Sequence, residues 1–367
     1  MLGRKRYVGK YVTAQPPKQS AGVLRVLGRI LFLILETVLL LCVALYGVMY
    51  VLAKGPSPSA RDLFVMSVRE TSAIGFLAEL YLSEEEILAI EQSQQVEVYE
   101  DTDTSLITIE KPDAQTLSGG PVADQWGLVD EDGDGIILEP VRGSGFSGFM
   151  MVVLDPSRVI MGSRPESYHA RGYTVEEMVK EFDAVAGINA GGFEDPNGTG
   201  NGSVPNTMVV YEGEVYFATK GTQEGFVGLD SRNILHVGKL TEEEIRERDI
   251  QYGVCFGPVL VSNGVSAIPS DLACGLNPRT AIGQRSDGAI LLLVIDGRQA
   301  ISIGATYQDL VEIFLEYGAV NACNLDGGSS SMMWYEDRYV NNCASVIGIR
   351  PVPTTFVVLK EGVNTNG

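Results

Sequence analysis

Histidine is nearly absent. This chain of 367 residues has two, His169 and His236, neither set in a motif that would make it a base, and both read as surface or loop positions. A Ser-His-Asp relay needs a histidine to carry the proton, so it is excluded despite the many serines. Zinc is excluded on similar grounds, because the five cysteines contain no CxxC pair to help build a tetrahedral ligand set. Positive charge is scarce as well, with 27 Lys and Arg against 47 Asp and Glu and a formal net charge of −20. Such a body repels polyphosphate at long range and argues against DNA or RNA as a partner. Acid is lacking in one place only: Glu36 is the single acidic residue before Asp62, where Arg4, Lys5, Arg6, Lys10, Lys18, Arg25 and Arg29 cluster.

That acid-poor N-terminus holds the long apolar run. From Ile30 to Leu52 the residues are apolar apart from Glu36 and Thr37, long enough as a helix to cross a hydrocarbon core of ~30 Å. The run is longer, and the basic region before it more extended, than a cleaved signal peptide requires, so an uncleaved single-pass anchor is expected. Basic residues precede it, which places the N-terminus in the cytoplasm and everything after Lys54 outside. The expected organisation is a cytoplasmic basic tail (1–29), a transmembrane helix (30–52), a membrane-proximal helical stalk and linker (53–120), and a main domain (121–367). Four cysteines, Cys255, Cys274, Cys323 and Cys343, would then lie outside, and the sequence leaves open whether and how they pair.

Beyond the anchor, Ser83 followed by Glu86 is a capping box opening a helix, as are Thr174 with Glu177 and Thr241 with Glu244. Alternation from Val96 to Glu110 predicts a strand, and Pro112 to Gly120 a linker. Asp130, Asp132 and Asp134 alternate before Gly135 like the opening of a calcium loop, but Arg142 stands where a bidentate glutamate belongs. An acidic hairpin turn is the better reading, with calcium kept as a weak candidate and no cofactor required. Ala289 to Ile295 is a core strand ending at Asp296-Gly297-Arg298, preceded by the hairpin signal Asp287-Gly288. A helix, then a strand, then paired glycines occurs twice, over 174–192 and 306–328. The expected class is α+β, mixed β-sheets packed with helices.

The chemistry concentrates at strand ends. Asn324-Leu325-Asp326-Gly327-Gly328-Ser329-Ser330-Ser331 puts an acid, two glycines and three hydroxyls on a turn after an apolar strand, where backbone amides and hydroxyls can gather around an anion. Asn189-Ala190-Gly191-Gly192-Phe193-Glu194 repeats the design, with Asn189, Gly191 and Gly192 shaping the cleft. Arg350, before Pro351, is read as architectural.

Taken in order, NAGGF (189–193), FGPVLV (256–261), PRTAIG (278–283), DGR (296–298), NLDGGSSS (324–331) and RPVPTTFVV (350–358) resemble the phosphodiester glycosidase family, from about Gly148 to Leu359. The resemblance implies hydrolysis of a sugar-1-phosphodiester at the anomeric C–O bond. Asp326, Asp296 and Glu194 are then the candidate carboxylates, in that order. Arg279, Arg298, Gly327, Gly328, Ser329 and Ser330 are the candidate phosphate-binding residues. With an anchor, the substrate would be a sugar phosphodiester of the cell envelope, such as an exopolysaccharide or its precursor. Two other readings remain open on the residues alone: a phosphodiesterase or transferase that cleaves P–O, and a glycan-binding protein without catalysis.

Overall fold

The computed structural model describes residues 20–69, 74–93, 101–109, 122–195, 200–216, 225–269, 272, 274–345 and 348–362. The chain divides into two compact units, Met1–Ser57 and Pro58–Gly367. In the first, α1 (Ser20–Lys54) carries the apolar run, and its stretch Arg25–Lys54 is long and apolar enough to cross a membrane, as an anchor or as a signal sequence. Residues 1–19, most of the expected basic tail, lie outside the described residues.

The second unit opens with α2 (Pro58–Arg69), α3 (Phe76–Glu79) and α4 (Glu84–Ser93). The expected capping box starts α4: the Glu86 amide donates to the Ser83 hydroxyl and the Ser83 amide to the Glu86 carboxylate. No strand forms over the described part of Val96–Glu110. Asp103 instead accepts from the Ser105 amide and caps a short 3-10 turn, Thr104–Leu106, a local bond that competes with a β-ladder. The rest of that segment, the expected linker and the expected boundary at Pro121 lie outside the described residues. Residues 101–109 are bonded to the body of the unit, through Thr102 to Val237, Asp103 to Asn263 and Thr108 to Ser286. The helices expected as a stalk thus share one compact unit with the sheets.

In chain order, β1 (Val122–Ala123) and β2 (Val129–Asp130) form a ribbon, and β3 (Ile136–Gly143), β4 (Phe146–Val153) and β5 (Val159–Ser163) precede α5 (Val175–Glu181) and β6 (Ala184–Asn189). Next come β7 (Val209–Tyr211), β8 (Glu214–Tyr216), β9 (Phe226–Asp230) and β10 (Leu235–Gly238), then α6 (Glu242–Glu247) and β11 (Ile250–Val254). The chain continues through β12 (Val259–Ser262), β13 (Val265–Ser266), β14 (Arg279–Arg285) and β15 (Ile290–Ile295) to α7 (Tyr307–Glu316). It ends with β16 (Ala319–Leu325), β17 (Met333–Tyr335), β18 (Arg338–Tyr339) and β19 (Thr354–Leu359).

Beside the ribbon stand three sheets, ordered β13-β12-β16-β14-β15-β4-β3, β18-β17-β6-β19-β5 and β10-β9-β11-β7-β8. The α+β class is as expected, and the described ladders are antiparallel. The three sheets share a central core, to which β15 contributes Ile290, Leu292 and Val294 and β16 contributes Cys323 and Leu325. Alternation turns Leu291, Leu293 and Ile295 to the opposite face, where α7 covers them with Leu310, Val311 and Phe314. This burial on both faces is why β15 reads as an unbroken apolar run. Helix α5 covers the second sheet through Val175, Met178 and Val179, and α6 covers the third through Ile245. His236, expected on the surface, is a buried residue of β10. Its Nε2 lies 3.2 Å from the Asp230 carboxylate, which supplies the partner that makes an interior histidine tolerable.

Candidate active site

The two helix-strand-glycine segments converge. Strand β6 lies at the centre of its sheet between β17 and β19, and β16 lies between β12 and β14. Their C-terminal ends are stitched together across the sheets. The Asp326 amide donates to the Ala190 carbonyl (2.9 Å), and Asn189 Nδ2 donates to the Asp326 carbonyl (2.6 Å). Asn189 Oδ1 accepts from the Thr280 hydroxyl (2.8 Å) and the Met332 amide (3.1 Å). A fully buried amide with donor and acceptor both engaged holds one strand end rigidly against the other. Asn189 is therefore the residue that fixes where Asp326 begins its turn.

Asp326 opens into a cleft of ≈ 400 Å³ lined by Gly192, Phe193, Asp195, Asn206, Phe256, Asn277, Tyr307 and Asn324, with the 326–330 turn and three arginines completing its wall. Burial pushes the Asp326 carboxyl up to about 6, while hydrogen bonds from the Ser330 hydroxyl and Gly327 amide and the charge of Arg350 act in the opposite direction. A carboxyl so placed exchanges a proton close to neutral pH, the property sought in catalytic acids. Asn324 is held by its Nδ2 on the Gly257 carbonyl (2.8 Å), and its buried Oδ1 has no protein partner.

The three arginines are held differently. Arg279 is buried, with Nη2 on the Gly275 carbonyl (2.7 Å), Nε on the Ala305 carbonyl (3.2 Å) and its guanidinium 4.1 Å from the centre of the Tyr307 ring. It shapes the wall more than it offers a free fork. Arg298 is exposed, reaching Asn277 Oδ1 (3.1 Å) and the Ser329 hydroxyl (3.4 Å). Its own backbone is left-handed, φ 56°, a conformation costing on the order of 1 kcal/mol for a residue with a Cβ and found preferentially at functional sites. Arg350, expected to be architectural, lines the cleft: Nη2 donates to Asp195 (2.5 Å) and the buried Nε has no partner.

The amides of the expected nest are largely engaged by the protein itself. The Gly328 amide donates to the Pro278 carbonyl, Ser330 to Gly327 and Ser331 to Gly328, while Gly327 serves Asp326. What Gly328 contributes is shape: φ is 61°, and an added Cβ would stand 3.3 Å from Arg298 Nη2. Of the other glycines, Gly192 lines the cleft and the Gly191 amide donates to the Thr354 hydroxyl (2.9 Å).

Two candidate carboxylates face elsewhere. Asp296 is buried against the 341–342 turn, its carboxylate accepting from the Asn342 amide (2.9 Å) and Asn341 Nδ2 (3.2 Å), so it braces that turn. Glu194 is exposed, and its neighbour Asp195 is the acid that lines the cleft. Adjacent residues of an extended segment point to opposite sides, and the letters Glu-Asp do not say which side is the cleft. Of the residues not anticipated, Asp195, Arg350, Asn206, Asn277, Asn324, Phe256 and Tyr307, the only sequence signal was membership of the quoted motifs or nearness to them.

Asp130, Asp132 and Asp134 sit outside the cleft at the β2–β3 turn, with ligand oxygens within 4.8 Å of one another. Asp130 accepts from the Gly133 and Gly135 amides (both 2.9 Å), which closes the turn as expected of an acidic hairpin. Asp134 has its carboxyl raised by burial. The cysteines Cys255, Cys274, Cys323 and Cys343 stand as free thiols. Burial pushes Cys255 up to about 12, so it is an uncharged, inert side chain.

Residues 182–359 match the phosphodiester glycosidase family. The bovine N-acetylglucosamine-1-phosphodiester alpha-N-acetylglucosaminidase is 28% identical over 179 residues, 44% of this chain and 33% of that protein. An uncharacterized SPbeta prophage-derived protein, YomE, of Bacillus subtilis is 46% identical over 81 residues, 22% of this chain and 13% of its own. The chain thus spans about a third or less of these two relatives. Among solved structures, the zebrafish enzyme's catalytic domain, auto-inhibited by its pro-peptide, aligns with a TM-score of 0.51 at 20% identity, covering 61% of this chain and 82% of that one, a likeness of fold. The part of the chain that brings Asn189, Arg279, Arg298, Asp326 and Arg350 together, residues 182–359, resembles the phosphodiester glycosidase family.

Proposed function

We propose that the chain hydrolyses the anomeric C–O bond of a sugar-1-phosphodiester, releasing the free sugar and a phosphomonoester. The observation that carries this reading is a half-buried, desolvated carboxyl, Asp326, placed in one cleft with the guanidiniums of Arg298 and Arg350. The arginines and the Ser329 hydroxyl take the phosphate. Phe193, Phe256 and Tyr307 give the sugar apolar surface, and Asn206, Asn277 and Asn324 give its hydroxyls partners, including the unfilled Asn324 Oδ1. A phosphate leaves as a stable anion, so the departing group needs fixed positive charge more than it needs a proton. Asp326 then acts ionised on the sugar, as nucleophile or as support for oxocarbenium charge. N-acetylglucosamine is the proposed sugar, on the strength of the bovine relative's name. With α1 as an anchor, the substrate would be a phosphodiester-linked glycan of the cell envelope.

The test is product analysis by NMR, using the full chain in a nonionic detergent and the methyl phosphodiester of N-acetylglucosamine-1-phosphate. Free N-acetylglucosamine with methyl phosphate is expected. With the reaction run in oxygen-18 water, label in the sugar marks cleavage at the anomeric carbon; label in the methyl phosphate, or N-acetylglucosamine-1-phosphate with methanol, would mean P–O cleavage instead. Binding without turnover, unaltered by Asp326→Asn, would mean a glycan-binding protein. A parallel run with a chelator decides whether calcium at the Asp130 turn matters.

A further inference from the structure

Asp195 sets a carboxylate among the cations that are to hold a phosphate. It accepts from Arg350 Nη2 at 2.5 Å through one oxygen and from the Gly200 amide at 2.9 Å through the other, and it lines the same cleft as Arg298 and Asp326. Arg350 cannot swing away from it easily. Its guanidinium lies 5.2 Å from the centre of the Phe193 ring, and Gly200 packs so closely that an added Cβ would stand 2.4 Å from Nε. Gly200 itself has φ +63°, so this close approach is built with a residue that has no side chain to clash. An arginine meant only to attract anions would be weakened by such a partner. The pair makes sense where attraction must be limited.

We propose that Asp195 is a specificity-determining charge filter: through Arg350 it lets the cleft accept a phosphodiester, with one negative charge, and disfavours a phosphomonoester, with two. This rests on the glycosidase reading above and deepens it, because the filter separates substrate from product. A diester carries one charge at all ordinary pH values. Breaking the C–O bond leaves a monoester whose second proton is lost at about 6, and the added charge meets the Asp195 carboxylate. Arg298 and Arg350 attract the dianion more strongly than the monoanion, and Asp326, ionising over the same range, repels it more strongly; these opposed effects largely offset one another, which leaves Asp195 to turn the balance against the second charge. Arg279 is folded beneath Tyr307 onto backbone carbonyls and does not alter the comparison. The product is thereby expelled as it ionises.

Binding of dimethyl phosphate and of methyl phosphate to the full chain in detergent tests this by calorimetry, without turnover. At pH 5 both ligands are monoanions and their affinities should be equal. At pH 8 the wild type should favour dimethyl phosphate by about tenfold, the scale of one partly screened charge contact. Asp195→Asn should remove most of that preference, and Asp195→Glu, which keeps the charge, should retain it. Equal affinities at pH 8 in the wild type would overturn the filter, a result that stands even if the asparagine variant does not fold. A preference undiminished in Asp195→Asn would overturn it too. If neither ligand binds the wild type at any pH, the phosphate-cleft reading itself fails and the filter with it.

Discussion

The Asp326 carboxyl is raised from its ordinary value to about 6 because the cleft desolvates it, and that shift is also a stability term. A carboxyl whose folded value lies above its unfolded one favours the fold when protonated. The contribution is present below about 4, and it is lost as pH rises through about 6. At pH 8 the folded protein carries an ionised, desolvated group that the unfolded chain does not penalise. Asp326→Asn should therefore be more stable than the wild type at pH 8, by up to about 3 kcal/mol, and no more stable at pH 4. Thermal denaturation at the two pH values checks this. The same substitution should cut kcat by a thousandfold or more while leaving dimethyl phosphate binding within a few fold, since the arginines remain. If Asp326 works ionised, wild-type kcat/KM should rise with pH to a plateau above about 6; a fall there would make Asp326 the general acid instead. Sequence reading reached Asp326 because an acid before paired glycines at a strand end has a chemical purpose. It did not reach Asp195 or Arg350, whose roles depend on which way two adjacent side chains turn and on a contact spanning residues 195 to 350.

At the level of elements, the site is a junction between two sheets. The β6 and β16 ends are joined by Asn189 to Asp326 and by Asp326 to Ala190. Replacing Asn189 with alanine leaves the Thr280 hydroxyl, the Met332 amide and the Asp326 carbonyl without their partner in a dry interior. Asn189→Ala should cost about 2–4 kcal/mol of stability and lower kcat more than it raises KM, because it displaces the Asp326 turn without touching the substrate. Denaturant titration and steady-state kinetics on one preparation separate the two effects. Helices and strands were largely legible because local rules decide them. The boxes at Ser83, Thr174 and Thr241 each bond as their residue types require, and β15 is apolar throughout because it is buried on both faces. The junction was not legible, since the letters give two similar segments but not their meeting. The predicted strand at 96–110 failed where described because one aspartate, Asp103, made a local turn more favourable than a ladder.

For the molecule as a whole, Pro58–Gly367 is one compact unit, and α2 at its start belongs to the support of the cleft. Helix α2 buries Phe64, Val65 and Val68, and its Ser67 backbone lies against Gly275, where an added Cβ would come within 2.6 Å of the Ser67 Cα. Gly275 in turn receives Arg279, which stacks on Tyr307 in the cleft wall. Farther along, Ile107 is buried with Ile234 and Val320, joining the 101–109 segment to β16 at the end opposite Asp326. A chain beginning at Pro58 should therefore fold without α1 and keep the wild-type affinity for dimethyl phosphate. One beginning at Val122 loses α2 and Ile107 together. At roughly 1.5–3 kcal/mol for each large apolar side chain removed from a buried site, it should lose much of a typical domain's stability. It should also release Arg279 from its seat, so that phosphate affinity falls even where the chain remains folded. Expressing both truncations and comparing melting temperature with dimethyl phosphate affinity is decisive. If the Val122 form matches the Pro58 form in both, the helices before the sheets are a separable stalk after all, and the support that α2 gives the cleft through Gly275 is dispensable.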